Sequence, residues 1–313
     1  MDKKHDIQLD VYRALVMLYI VCMLHVVRYF EVGSGLFLTY GLFEMPIIFF
    51  IAGAALNVSD KDKGFKELCI NRFKRVYLPF FVFAVISISF FLILSFLGLD
   101  QNSVERLKIY DYTAVTTLKT AIIFPPAHLW FIPQYFLISI SFYIQRKICR
   151  KLNRYVYMIV VGMVYIILYV FSSVIPYGSI LAMIACYNVF FMAGYLFYRK
   201  ITLSPMIAVG VLAIVSCVIL QYAGFHMEEL NSYKWSAAPL YVAYNGLVIV
   251  TLGLIFTFIK LPSNKLLRLW NKNGYTIYIY QGLIFFAIGN WVKPFIDKQL
   301  PPPTHTCTIG HYL

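Results

Sequence analysis

The chain has 313 residues, 61% of them hydrophobic and only 13% charged. A soluble globular domain carries about 25% charged residues, so an ordinary soluble enzyme is excluded. The formal net charge of +13 does not point to nucleic acid, because the basic residues fall between apolar stretches rather than along one stripe. The expected partner is the lipid bilayer. Six scattered cysteines form no CxxC and no zinc spacing, so no metal is expected.

A helix crosses the hydrocarbon with about 20 mostly apolar residues. Nine segments qualify, near 11–29, 38–58, 78–98, 128–146, 155–173, 179–198, 203–223, 237–259 and 274–291. The sequence thus predicts an all-α, polytopic membrane protein of nine transmembrane helices. The split at SSVIPYGS, residues 172–179, also fits a re-entrant turn. Connections rich in Lys and Arg alternate with poorer ones. Lys3 and Lys4 precede the first span, Lys61 to Arg75 follow the second, and Arg146 to Arg154 follow the fourth. The positive-inside rule then expects a cytoplasmic N-terminus and, with nine spans, an extracytoplasmic C-terminus. The connection 99–127 is the longest and is expected to hold an interfacial helix that roofs a cavity.

Ionisable groups inside a span are costly and usually face protein or a wet cavity. In the first span, Asp10 and Arg13 lie one turn apart and can pair. Arg13 reads equally as a snorkelling interface residue. His25, twelve positions beyond Arg13, suits a general base, or a polar contact to a packed helix. Arg28 marks the far interface. Before the third span, Arg72 and Arg75 in NRFKRVYLPF read as a basic anchor or as a phosphate clamp. Pro79 is expected in the first turn of that span, where a missing N–H costs least. His128, Trp130 and Gln134 in PPAHLWFIPQYF open the fourth span. Tyr278 and Gln281 in NKNGYTIYIYQGL open the last, as interface or helix-packing residues.

In their order these segments resemble the membrane-bound acyltransferase-3 family. LDVYRALVMLYIVCMLHV matches its first helix at Asp10, Arg13 and His25. MPIIFFIAGAAL is similar to its second, at Phe49, Phe50, Ala52 and Gly53. RFKRVYLP matches the basic motif at Arg72, Arg75, Tyr77 and Pro79, and HLWFIPQYF and YTIYIYQGL resemble the later motifs. The resemblance covers about residues 7–290. Three departures stand out. Eleven residues separate Arg13 from His25 where family members usually have ten. Twelve steps of 100° place them about 120° apart on an undistorted helix, whereas eleven would bring them within about 20°. Gln281 stands where many members have His. The chain also ends after nine spans, where members usually have about ten.

The resemblance implies transfer of an acyl group, most simply acetyl, from acyl-coenzyme A to a hydroxyl of a sugar in a surface polysaccharide or glycolipid. His25 and Arg13 would be catalytic, and Arg72 and Arg75 would bind the donor. Asp10, His128, Trp130, Gln134, Tyr278 and Gln281 would bind substrate or support the site. No tightly bound cofactor is implied. Residues 1–291 would form one transmembrane domain in the cell membrane, and 292–313 a polar tail in place of a further helix. Oligomeric state is left open. The alternatives are a transporter of a lipid-linked sugar or small molecule, and an inactive or truncated relative of the acyltransferases.

Overall fold

The computed structural model describes residues 6–30, 35–59, 64–96 and 131–299. Among these there is no strand. The elements are α1 (Ile7–Leu18), a π-helical stretch Tyr19–Leu24, α2 (His25–Phe30), α3 (Gly35–Tyr40), α4 (Glu44–Ser59) and α5 (Phe65–Arg72). A second π-helical stretch, Phe73–Tyr77, leads into α6 (Leu78–Phe96). Then follow α7 (Phe131–Cys149), α8 (Arg154–Val170), α9 (Gly178–Phe197), α10 (Leu203–Tyr222), a 3₁₀ turn Met227–Glu229, α11 (Leu230–Ser236), α12 (Pro239–Phe258) and α13 (Lys265–Gln299).

Helices run through all nine expected segments. Among the described residues, five helices are long and apolar enough to cross a membrane: Ile7–Val27, Phe37–Ser59, Gly178–Phe197, Leu203–Tyr222 and Pro239–Phe258. SSVIPYGS is a turn between α8 and α9, closed at Tyr177 by a left-handed residue with φ of 59°. It separates two helices, because α8 and α9 pack on each other on either side of it. The last helix is longer than its apolar part: α13 begins at Lys265 and runs to Gln299. Its ends carry Lys and Arg, good helix formers that extend an apolar core into polar surroundings.

The core sits around α4 and α9. Phe49 of α4 stacks on Tyr187 of α9 at 4.8 Å between ring centroids and meets Tyr135 of α7 at 5.8 Å. The two helices cross at glycines. A methyl group built on Gly53 would fall on the carbonyl of Phe191, and one on Gly194 would fall on the carbonyl of Phe50. Small residues at a crossing let membrane helix backbones touch, which replaces the missing hydrophobic drive with van der Waals contact.

Three polar clusters fasten the bundle. Asp6 caps α1 by accepting from the Leu9 N–H at 3.2 Å. Its carboxylate also accepts from the Tyr198 hydroxyl and from Arg199 Nη2, both at 3.0 Å. Between α7, α8 and α9, Gln145 and Asn188 exchange amide hydrogen bonds of 3.0 and 3.1 Å, and the Tyr157 hydroxyl donates to Gln145. At the other end of the bundle, Lys234 of α11 is ion-paired with Glu44 of α4, with both side chains buried.

Both π-helical stretches answer a local demand. Pro79 lies inside a helix that continues from α5 into α6, not in a first turn as its sequence context suggested. A proline there lacks an N–H and crowds the carbonyl four residues back, at Arg75. The wide turn just before it, with Leu78 N–H reaching Phe73, takes up that crowding. The first stretch lies between Arg13 and His25.

Candidate functional site

A π-helical turn accommodates one extra residue in an otherwise α-helical run. The twelve steps from Arg13 to His25 therefore turn like eleven, and the two residues return to within about 20° of one face. The additional residue noted in the sequence is absorbed at Tyr19–Leu24.

The Arg13 end of that face lines a cavity of about 760 Å³ between α1, α4, α5, the second π stretch, α6, α7, α9 and α13. Ser59, Asn71 and Lys272 border it, so it lies toward the end of the bundle with Lys- and Arg-rich connections. Five cationic side chains line it: Arg13, Arg72, Arg75, Arg146 and Lys272. No Asp or Glu is among its described lining residues. Arg13 Nη1 pairs with Asp10 at 3.5 Å, as the one-turn spacing predicted, and donates to Asn271 Oδ1 at 3.3 Å. Arg72 Nη1 donates to the Tyr135 hydroxyl at 3.3 Å, and its guanidinium lies 5.9 Å from that ring's centroid. The Tyr275 hydroxyl donates to the Val76 carbonyl at 2.8 Å, fixing α13 against the helix that carries Arg72 and Arg75.

His25 is not a lining residue; it sits one ring farther in. Tyr278, 1% exposed, lines the cavity and lies 5.6 Å from the His25 ring and 5.4 Å from Phe131, centroid to centroid. On its other side His25 Nδ1 lies 2.6 Å from Gln281 Nε2. The first and last described long helices thus meet through His25, Tyr278 and Gln281, residues 256 positions apart at the closest pair.

The structure brings together Asp10, Arg13, His25, Arg72, Arg75, Tyr278 and Gln281. Gln134 is buried in α7 at 8% exposure, its carbonyl oxygen has no hydrogen-bond partner among the described residues, and it does not line the cavity. His128, Trp130 and the expected roof at 99–127 lie outside the described residues.

The sequence reading passed over Arg146, Asn271, Tyr275 and Lys272. Arg146 sits in a run of basic residues that reads as a connection. Yet Phe131, Tyr135, Ile138, Phe142 and Arg146 recur at three- and four-residue spacing, the stripe of one helix face. An arginine in register with that stripe signals a buried cation, and Arg146 is 6% exposed.

The acyltransferase-3 family model, described as an acyltransferase domain, matches residues 6–310. The chain belongs to this family of acyltransferase domains. Its apolar helices and this membership make it a multi-pass membrane protein. No curated protein and no solved structure matches the chain.

Proposed function

We propose that the protein transfers an acyl group, acetyl in the simplest case, from acyl-coenzyme A to a sugar hydroxyl of a surface polysaccharide or glycolipid. It would do so in the cell membrane, with its N-terminus and cavity facing the cytoplasm and its C-terminus outside. The observation that carries this reading is the five-cation cavity separated from a histidine by one tyrosine ring. Five cations gathered on one lining, Arg146 buried and the others in reach of water, with no carboxylate among the described lining residues, concentrate positive charge that attracts a polyanion. Coenzyme A brings roughly four negative charges on its phosphates. Guanidinium groups match phosphate oxygens in pairs, so Arg72, Arg75 and Arg146 hold the nucleotide end. The tyrosines of the cavity offer faces for an adenine ring or a pantetheine arm. The arm then points the thioester past Tyr278 toward His25.

In the reaction, His25 takes the proton of the acceptor hydroxyl as its oxygen attacks the thioester carbon. The carbon–oxygen bond forms, the carbon–sulfur bond breaks, and the imidazolium returns its proton to the departing thiolate. Arg13, held by Asp10 and Asn271, keeps positive charge on the path of the donor.

The test is acetyl transfer by the purified chain in proteoliposomes, with acetyl-coenzyme A inside and a glycolipid acceptor. Transfer that His25→Ala reduces at least a hundredfold, with donor binding retained, is the expected result. Equal transfer by His25→Ala removes His25 as the base. Acceptor movement across the vesicle wall without any acyl donor favours a transporter instead.

A further inference from the structure

General-base catalysis by a histidine needs a lone pair on the nitrogen that faces the hydroxyl. Nδ1 of His25 is committed to Gln281 at 2.6 Å, so proton abstraction falls to Nε2. With its amide N–H toward the ring, Gln281 would donate to Nδ1. That requires the lone pair on Nδ1 and the ring proton on Nε2, the tautomer that cannot act as a base at Nε2. A half-turn of the amide places Oε1 where Nε2 was. Oε1 then accepts from Nδ1–H, and Nε2 carries the lone pair.

The half-turn breaks no other hydrogen bond of this side chain. Gln281 is 2% exposed, and its Oε1 is buried with no hydrogen-bond partner among the described residues. A buried amide with one end engaged and the other end unmatched is an unusual arrangement, since buried polar groups are normally satisfied. The far end is unmatched whichever way the amide lies, so the contact with His25 decides its orientation.

We propose that Gln281 is the positioning residue that sets the tautomer of His25, its amide oxygen accepting from Nδ1–H so that Nε2 carries the lone pair of the base. This rests on the reading of His25 as the base. When Nε2 takes the hydroxyl proton, both ring nitrogens become donors, and Oε1 of Gln281 holds Nδ1–H. The proton on Nε2 passes to the thiolate as the carbon–sulfur bond breaks, so Gln281 gains and loses none. A carboxylate in its place would orient the ring equally well but would add a negative charge that favours the imidazolium. The amide orients without that bias. Among the described side chains, the titratable groups near the ring include Tyr278 from α13 and, one turn back on its own helix, Cys22.

The experiment uses the full chain in nanodiscs, labelled with ¹⁵N-histidine, and compares wild type with Gln281→Leu, Gln281→Met and Gln281→Glu. The His25 signal is identified by its loss in His25→Ala. Gln281→Leu and Gln281→Met should change the His25 tautomer signal and lower kcat at least about tenfold, with the KM for acetyl-coenzyme A within about twofold. Gln281→Glu should restore most of kcat and move both the His25 titration and the acidic limb of the rate profile to higher pH. Two variants guard against one that does not fold. The proposal is overturned if either apolar variant keeps the wild-type tautomer signal and kcat, or if Gln281→Glu leaves the His25 titration where it was. Inactive wild-type protein whose tautomer signal still responds to Gln281 would sink the catalytic reading while leaving the contact in place.

Discussion

Gly53 of α4 and Gly194 of α9 face each other where the two helices cross, each beneath a backbone carbonyl of the other helix. The side chains flanking this crossing hold the cavity wall: Ala52 precedes Gly53, and Tyr195 follows Gly194. A single methyl on either glycine must push two backbones apart. Gly53→Ala or Gly194→Ala should therefore destabilise the protein by an amount at or above the roughly 1–3 kcal/mol usual for overpacking. A thermal melt in detergent checks this, with Gly162→Ala as the control, since nothing lies within 4 Å of its would-be methyl. Equal melting temperatures for all three would show that the crossing is looser than described.

The five cations of the cavity predict donor affinity. Arg72→Gln, Arg75→Gln and Arg146→Gln should each weaken acetyl-coenzyme A binding about tenfold, equivalent to about 1.4 kcal/mol. Arg199→Gln, whose partner is Asp6 outside the cavity, should leave that affinity within about twofold. Isothermal titration with the coenzyme A product gives the numbers. Arg146 is the informative member, because it is the buried one of the five.

Glu44 and Lys234 form a buried pair between α4 and the short helix α11. Removing one partner strands a charge, a loss of about 3–5 kcal/mol in soluble proteins. Replacing both with apolar residues of similar size removes the desolvation cost as well. Glu44→Leu alone and Lys234→Met alone should each lower thermal stability sharply, and the double variant should recover most of the loss. Additive losses in the double variant would mean that the charges act on other groups rather than on each other.

Tyr198 lies just past the end of α9 and donates to Asp6. Burial, reinforced by the charge of Asp6, lifts its phenol above the usual range. The folded state therefore holds this proton more tightly than the unfolded chain does. Its contribution is fully present below the ordinary phenol value of about 10 and falls away as pH rises from there toward the raised folded value. Tyr198→Phe should be less stable than wild type at pH 8, and the gap should narrow above pH 10. A gap that widens with alkalinity would contradict the sign.

The helices were legible in the sequence because hydropathy over some 20 residues is a strong signal, and Arg and Lys mark the connections. The Arg13–His25 spacing was legible as a conflict, and the π-helical turn resolved it. Pro79 was read as a helix start because prolines favour first turns, whereas here the preceding turn widens to admit it. The Gln281–His25 contact had no local signature, since it joins the first and last helices of the described bundle. Glu44 and Lys234 were silent for the same reason: nothing within a turn of either residue points to a partner 190 positions away. Arg146 did carry a signal, the stripe it shares with Phe142, but the surrounding basic run masked it.

The π-helical turn at Tyr19–Leu24 also bears on how such a helix changes length over evolutionary time. An inserted residue in a straight α-helix rotates everything beyond it by a quarter turn or more, and every contact downstream must be rebuilt at once. Here the insertion is confined to one loop of backbone hydrogen bonds, and both flanking faces keep their bearings. The first helix can thus gain a residue by a single indel and keep its two polar ends aligned, so the spacing between them is a poorer guide to kinship than their orientation.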